Sequence, residues 1–119
     1  GKTDKFGENS IDNAADILNS LDNIKREIRL KFKRITDQEL LIFSAIYQLE
    51  EETGYTNYKI LSQHLNLSES SIRDYVGRLI NKGIPINKNK INNKNIQLKI
   101  SENLRKIVTL PTILQLREL

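Results

Sequence analysis

The chain has no cysteine, no methionine and no tryptophan, and it has a single histidine. Without cysteine there is no disulfide framework, no thiolate zinc site and no cysteine nucleophile. The lone histidine, His64, sits between Gln63 and Leu65 with no second histidine to share a metal, so it reads as a surface or boundary residue. No apolar run approaches the ~20 residues that a membrane-spanning helix needs, and no signal-peptide pattern opens the chain. Gly-rich phosphate loops, nucleophile elbows and metal signatures are missing as well. Glu50, Glu51 and Glu52 are consecutive, so on a helix they point in different directions and make no cation site. No catalytic site emerges and no cofactor is implied, so the chain is not expected to be an enzyme. With no methionine, Gly1 reads as a cleavage scar and the chain as a piece excised from a larger protein.

What is present is enough for one core: 119 residues, 38% hydrophobic and 29% charged, a globular composition. The net charge is +4, unevenly spread. Residues 1–35 carry eight Lys/Arg against six Asp/Glu. Residues 36–55 carry five acids (Asp37, Glu39, Glu50, Glu51 and Glu52) and no base, and residues 56–119 carry eleven bases against four acids. A basic C-terminal half beside an acidic helix suggests one face for a polyanion and one turned away from it.

Residues 1–9 are polar with two glycines and read as a disordered leader. From Ser10 a stripe of Ile11, Ala14, Leu18, Leu21, Lys25, Ile28, Phe32 and Ile35 recurs at alternating spacings of three and four. This predicts a long amphipathic helix in residues 10–35, packed either on its own domain or across a homodimer. Thr36-Asp37-Gln38-Glu39 is a capping box opening a second helix, which should end at Gly54. A short helix from about Thr56 to Asn66 and another from Ser68 to Gly83 follow, joined by about three residues. Ile72, Val76, Leu79 and Ile80 form the inner face of the second of these. After Gly83 the period drops to two: Ile84 and Ile86, then Ile96, Leu98 and Ile100, predict a β-hairpin with a polar, basic tip over residues 88–95. Ile91 at that tip is expected to fold back on the core. Ser101 caps a further helix to about Val108, and residues 109–119 are a tail or helix with Pro111 in its first turn.

Helix, short helix, tight turn, helix and hairpin occur here as TNYKILSQHLNLSESSIRDYVGRLINKGIPI, an Asn/Lys-rich loop, and IQLKI. Over residues 36–108 this resembles the winged helix-turn-helix domain of bacterial and archaeal transcription regulators. The resemblance implies a mainly α fold with a small β-hairpin, preceded by the long N-terminal helix. It also implies that Ser70, Ser71, Arg73, Asp74, Tyr75 and Arg78 lie in the helix segment that meets DNA.

Physical chemistry assigns roles along that segment. The helix over 69–82 should stand proud of the domain and enter a major groove by its first turns. Ser70 and Ser71 are short enough to let backbones approach. Arg73 is the candidate for bidentate contact with guanine, while Arg78 and Lys82 suit phosphate. Asp74 stands where such regulators often carry a base. There a carboxylate is repelled by phosphate unless it accepts from a cytosine amine or orients Arg78. Lys88, Lys90 and Lys94 fit a wing following the sugar–phosphate backbone. Tyr58 and Lys59 are candidates for holding phosphate on the other strand, with Tyr58 equally readable as partly buried core.

The leading expectation is therefore a sequence-selective double-stranded DNA-binding module, cytoplasmic and nucleoid-associated, with the Ile11–Ile35 helix available to form a homodimer. Two alternatives stand beside it. One is a winged helix serving protein interaction in a larger assembly; the other is the DNA-targeting domain of a nuclease.

Overall fold

The computed structural model describes residues 2–119, with side chains from Asn13 onward. Six helices and three strands follow one another: α1 (Lys2–Lys33), α2 (Asp37–Thr53), β1 (Thr56–Asn57), α3 (Tyr58–Leu65), α4 (Glu69–Asn81), β2 (Ile86–Asn92), β3 (Asn95–Ile100), α5 (Glu102–Ile107) and α6 (Leu110–Glu118).

Helix α1 begins at Lys2 and takes in the segment expected to be a disordered leader. No proline interrupts it, and a single Gly7 costs about 1 kcal/mol in a helix interior, too little to stop it. The side chains of that segment, and that of Ile11, lie outside the described residues. Further along, the expected stripe divides. Ile28, Phe32 and Ile35 are buried against the domain, whereas Ile17, Leu18 and Leu21 are exposed.

Helix α2 is the centre of the core. Its capping box is formed: the Glu39 amide donates to Thr36 Oγ1 at 3.1 Å and the Thr36 amide donates to Glu39 Oε1 at 2.8 Å. Ile42, Phe43 and Ile46 are fully buried, and Phe43 meets Phe32 of α1 edge to face at 4.9 Å between centroids. Gly54 ends the helix at φ +88°, a left-handed conformation that favours glycine.

The far end of α2 is fastened by Glu50. Its Oε1 accepts the Ile100 amide at 2.7 Å, and its Oε2 lies 2.7 Å from Arg105 Nε. Arg105 also stacks on Tyr47 at 3.9 Å and donates to the Tyr47 carbonyl at 2.9 Å. At the opposite end, Arg117 of α6 donates to the carbonyls of Phe32 and Ile35, each at 3.0 Å, where α1 finishes. A cation at a helix C-terminus complements its dipole.

The sheet is antiparallel in the order β1-β3-β2. Strand β1, two residues pairing Thr56 with Leu98, was not expected; an element that short carries no period to read. The hairpin is also longer than its composition suggests. β2 runs to Asn92, so Lys88 and Lys90 lie on a strand, where pairing with Leu98 and Ile96 overrides the low strand propensity of Asn and Lys. A bulge between Lys90 and Asn92 leaves Ile91 unpaired and 57% exposed, so it does not fold back on the core.

Candidate nucleic-acid interface

Four short polar side chains set the geometry of α3, the turn and α4. Asn57 caps α3, its Oδ1 accepting the Ile60 amide at 2.8 Å. Asn66 ends α3 in the left-handed region at φ +56°, a conformation its short amide tolerates. Ser62 Oγ donates to the Leu67 carbonyl across the turn. Ser68 then caps α4 by accepting the Ser71 amide at 3.1 Å. Leu61 of α3 and Ile72, Val76 and Leu79 of α4 are fully buried, which fixes the two helices on one shared core.

With that face inward, the opposite face of α4 is open. Ser70, Asp74, Gly77 and Asn81 recur at spacings of four, three and four, making one stripe along the helix. Ser70, Asp74 and Asn81 are exposed, and a Cβ at Gly77 would find nothing within 4 Å. The helix's two arginines lie on either side of this stripe. Arg73 rests over the ring of Tyr58 at 5.0 Å, and Arg78 over the ring of Tyr75 at 5.3 Å.

Between α4, the start of α3 and the hairpin lies a cleft of about 260 Å³. Lys59, Arg73 and Lys94 contribute positive charge to it, Glu69 the one carboxylate, and Asn57 and Asn95 amides that face each other at 3.5 Å. Cross-strand partners share a sheet face. Lys88 lies opposite Leu98 and Lys90 opposite Ile96, so both lysines leave the hairpin on the face that packs on the helices. Lys88, Lys90 and Lys94 are all exposed.

Two expected contact residues are placed elsewhere. Tyr58 is buried, so it supports Arg73 from beneath instead of reaching a phosphate itself. Lys82 is turned inward, its Nζ 2.5 Å from Glu39 Oε1. Burial pushes the Glu39 carboxyl up, but the Lys82 hydrogen bond and charge and the Thr36 contacts outweigh it and hold its pKa below the ordinary value. Glu39 thereby joins the start of α2 to the end of α4. Ser71 is half-buried, its hydroxyl accepting from Ser68 at 2.8 Å, while Ser70 and Lys59 remain exposed. Among the described residues no cluster of three or more His, Cys, Asp or Glu is arranged to hold a metal.

Solved structures share this fold. The YusO protein from Bacillus subtilis superposes with a TM-score of 0.53 at 16% identity, over 88% of this chain and 75% of that one. A MarR family protein from Bacillus stearothermophilus superposes with a TM-score of 0.50 at 19% identity, over 93% of this chain and 76% of that one. The fold is a winged helix. In winged-helix topology α3 and α4 form the helix-turn-helix and β2–β3 the hairpin that follows it. No family model and no curated protein sequence matches the chain. Among the described residues no helix is long and apolar enough to cross a membrane.

Proposed function

We propose that this winged helix is a sequence-selective double-stranded DNA-binding module of a transcription regulator, with α4 in the major groove and the wing along the backbone. The observation that carries the reading is exposed positive charge on both flanks of one open helix face. Arg73 and Arg78 flank the open stripe of α4, Lys59 and Lys94 line the cleft with Arg73, and Lys88 and Lys90 are exposed on the hairpin. A duplex presents phosphates on both sides of its major groove, and a helix inserted there meets them along both flanks. The shared fold with a MarR family protein supports the regulator reading.

The acidic segment 36–55 is largely spent on internal contacts: Glu39 holds Lys82 and Glu50 holds Arg105. A stretch of exposed apolar surface lies on α1, where Ile17, Leu18 and Leu21 continue the stripe past the point where it leaves the domain. A second copy of this chain, presenting the same stripe, would cover it and make the protein a homodimer on an inverted repeat.

Fluorescence anisotropy with mixed-sequence duplexes across a salt series, alongside mass by light scattering, tests both parts. The expected result is binding at low salt that weakens linearly in log[salt], by roughly 0.9 per phosphate neutralised. Absence of duplex binding at low salt overturns the proposal.

A further inference from the structure

We infer that Asp74 is the base-reading residue of α4, accepting a hydrogen bond from an exocyclic amine in the major groove, cytosine N4 in preference to adenine N6, while Arg73 and Arg78 hold phosphates on either side. The inference rests on the DNA-binding reading above and names the contact that gives it selectivity.

It begins with the faces of the helix. Ile72, Val76 and Leu79 are fully buried, so the stripe of Ser70, Asp74, Gly77 and Asn81 is the one that projects farthest from the domain. A helix lying in a major groove turns its outermost stripe to the base edges and its flanks to the two phosphate strands. Arginine would be the usual reader of guanine, but neither arginine of α4 is on that stripe. Each is instead settled on a tyrosine ring at its flank, Arg73 on Tyr58 and Arg78 on Tyr75. The only charge on the outermost stripe is the Asp74 carboxylate.

An exposed carboxylate on a polyanion-binding surface is tolerated if a neighbouring cation neutralises it or if the polyanion itself offers a donor. The first account does not hold here: Asp74 makes no ion pair among the described residues, not even with Arg78 one turn along the helix. The second narrows to two atoms. An ionised carboxylate only accepts. Phosphate oxygens, guanine N7 and O6, and thymine O4 are acceptors and repel it, leaving the amines of cytosine and adenine as the major-groove donors. Adenine sets its N7 lone pair beside that amine, whereas cytosine sets a C–H there, which makes cytosine the better partner. Asp is a short side chain, so the contact requires the helix to sit deep in the groove. Ser70 before it and Gly77 after it leave room for that approach.

Selection from randomised duplexes, with the full chain as wild type, Asp74→Ala and Asp74→Asn, tests this. Asp74 is exposed and carries no packing, so circular dichroism of the variants should match wild type. The wild type is expected to enrich cytosine at one position, and Asp74→Ala to flatten that position alone. Asp74→Asn should move it toward adenine, whose N6 and N7 an amide meets together. Replacing the selected cytosine by 2-pyrimidinone, which lacks the 4-amine, should then weaken wild-type binding about tenfold and leave Asp74→Ala unchanged. Uniformly tighter binding of Asp74→Ala to every duplex, with base preferences intact, would overturn the inference by showing that the carboxylate only repels. A wild type that binds no duplex at all removes the DNA reading itself, an outcome distinct from retained binding with unaltered preferences.

Discussion

Arg73 rests on Tyr58, its guanidinium carbon 5.0 Å from the centre of a ring that is otherwise buried. The contact joins α4 to the first residue of α3, so the ring fixes where a cation on the flank of α4 is held. An arginine, with its four rotatable side-chain bonds, loses conformational entropy when it grips a phosphate, and a ring that restrains it beforehand lowers that cost.

Replacing Tyr58 tests whether the ring or the hydroxyl matters. Tyr58→Phe keeps the stacking surface and should leave duplex affinity within about twofold, whereas Tyr58→Leu loses the π face and should weaken binding roughly threefold to tenfold. Anisotropy gives the affinities, and urea melts show how much of the second effect comes from the core.

Glu39 ties α2 to α4 through Lys82, and its depressed pKa fixes the sign of the pH response. A carboxyl whose folded-state pKa lies below its unfolded value contributes stability above the unfolded range, near ~4.3, and loses it as pH falls through the folded value. Glu39→Gln retains a capping amide but gives up the charge pair. It should cost about 1 to 2 kcal/mol at neutral pH, the one-third exposed Lys82 limiting the loss. The gap between wild type and variant should close as pH drops below the ordinary carboxylate range. Urea midpoints from pH 7 to pH 3 measure this, and a gap that widens in acid contradicts it.

Residues whose partners are close in sequence were legible from the sequence, and residues whose partners are distant were not. The Thr36–Glu39 capping box and the helix ends at Gly54 and Asn66 are local arrangements closed within a few positions. Lys82 looked like a phosphate contact because its partner lies 43 residues away. Arg105 on Tyr47 and Glu50, and Arg117 on the end of α1, are tertiary contacts of the same kind. On α4 the sequence showed which residues belong to the helix and which face is apolar. It did not show that Arg73 would be drawn aside by Tyr58, leaving Asp74 foremost. Ile91 was placed in the core on hydropathy alone, and the bulge that turns it outward has no local signature.

Arg117 fastens α6 to the end of α1 through two carbonyls and lies 3.0 Å from Asp37, whose side chain is 96% exposed. The carbonyl bonds therefore outweigh the ion pair, which water screens. Arg117→Ala should cost about 2 kcal/mol in urea melts. Asp37→Asn should cost only a few tenths of that. Arg117→Lys should recover little, because one ammonium cannot span both carbonyls from a planar fork.

The wing lysines should act through phosphate alone. Lys88 and Lys90 leave the same face of β2, and Lys94 borders the cleft beside Arg73. Each replacement by alanine is expected to weaken binding to all duplexes alike and to shallow the log–log salt slope by roughly one. Base preferences measured by selection should not change. A preference lost with Lys90→Ala would mean that the wing reads bases as well.

Pairing of two chains through α1 makes the most far-reaching prediction. Ile17, Leu18 and Leu21 are exposed on a helix whose stripe continues into the core at Ile28 and Phe32. From Ile17 to Phe32 one side of the helix is thus mainly apolar, with Lys25 interrupting it, while only its C-terminal part is covered within the chain. Leu18→Glu with Leu21→Glu places like charges against each other across a two-fold interface, yet leaves the winged helix untouched. Light scattering should give the mass of a single chain for this variant and of two chains for wild type. Binding to an inverted repeat should fall to the affinity of an isolated half-site, while circular dichroism and the urea midpoint of the domain stay put. Equal masses for wild type and variant, with repeat binding unchanged, would show that the exposed stripe serves something other than a second copy.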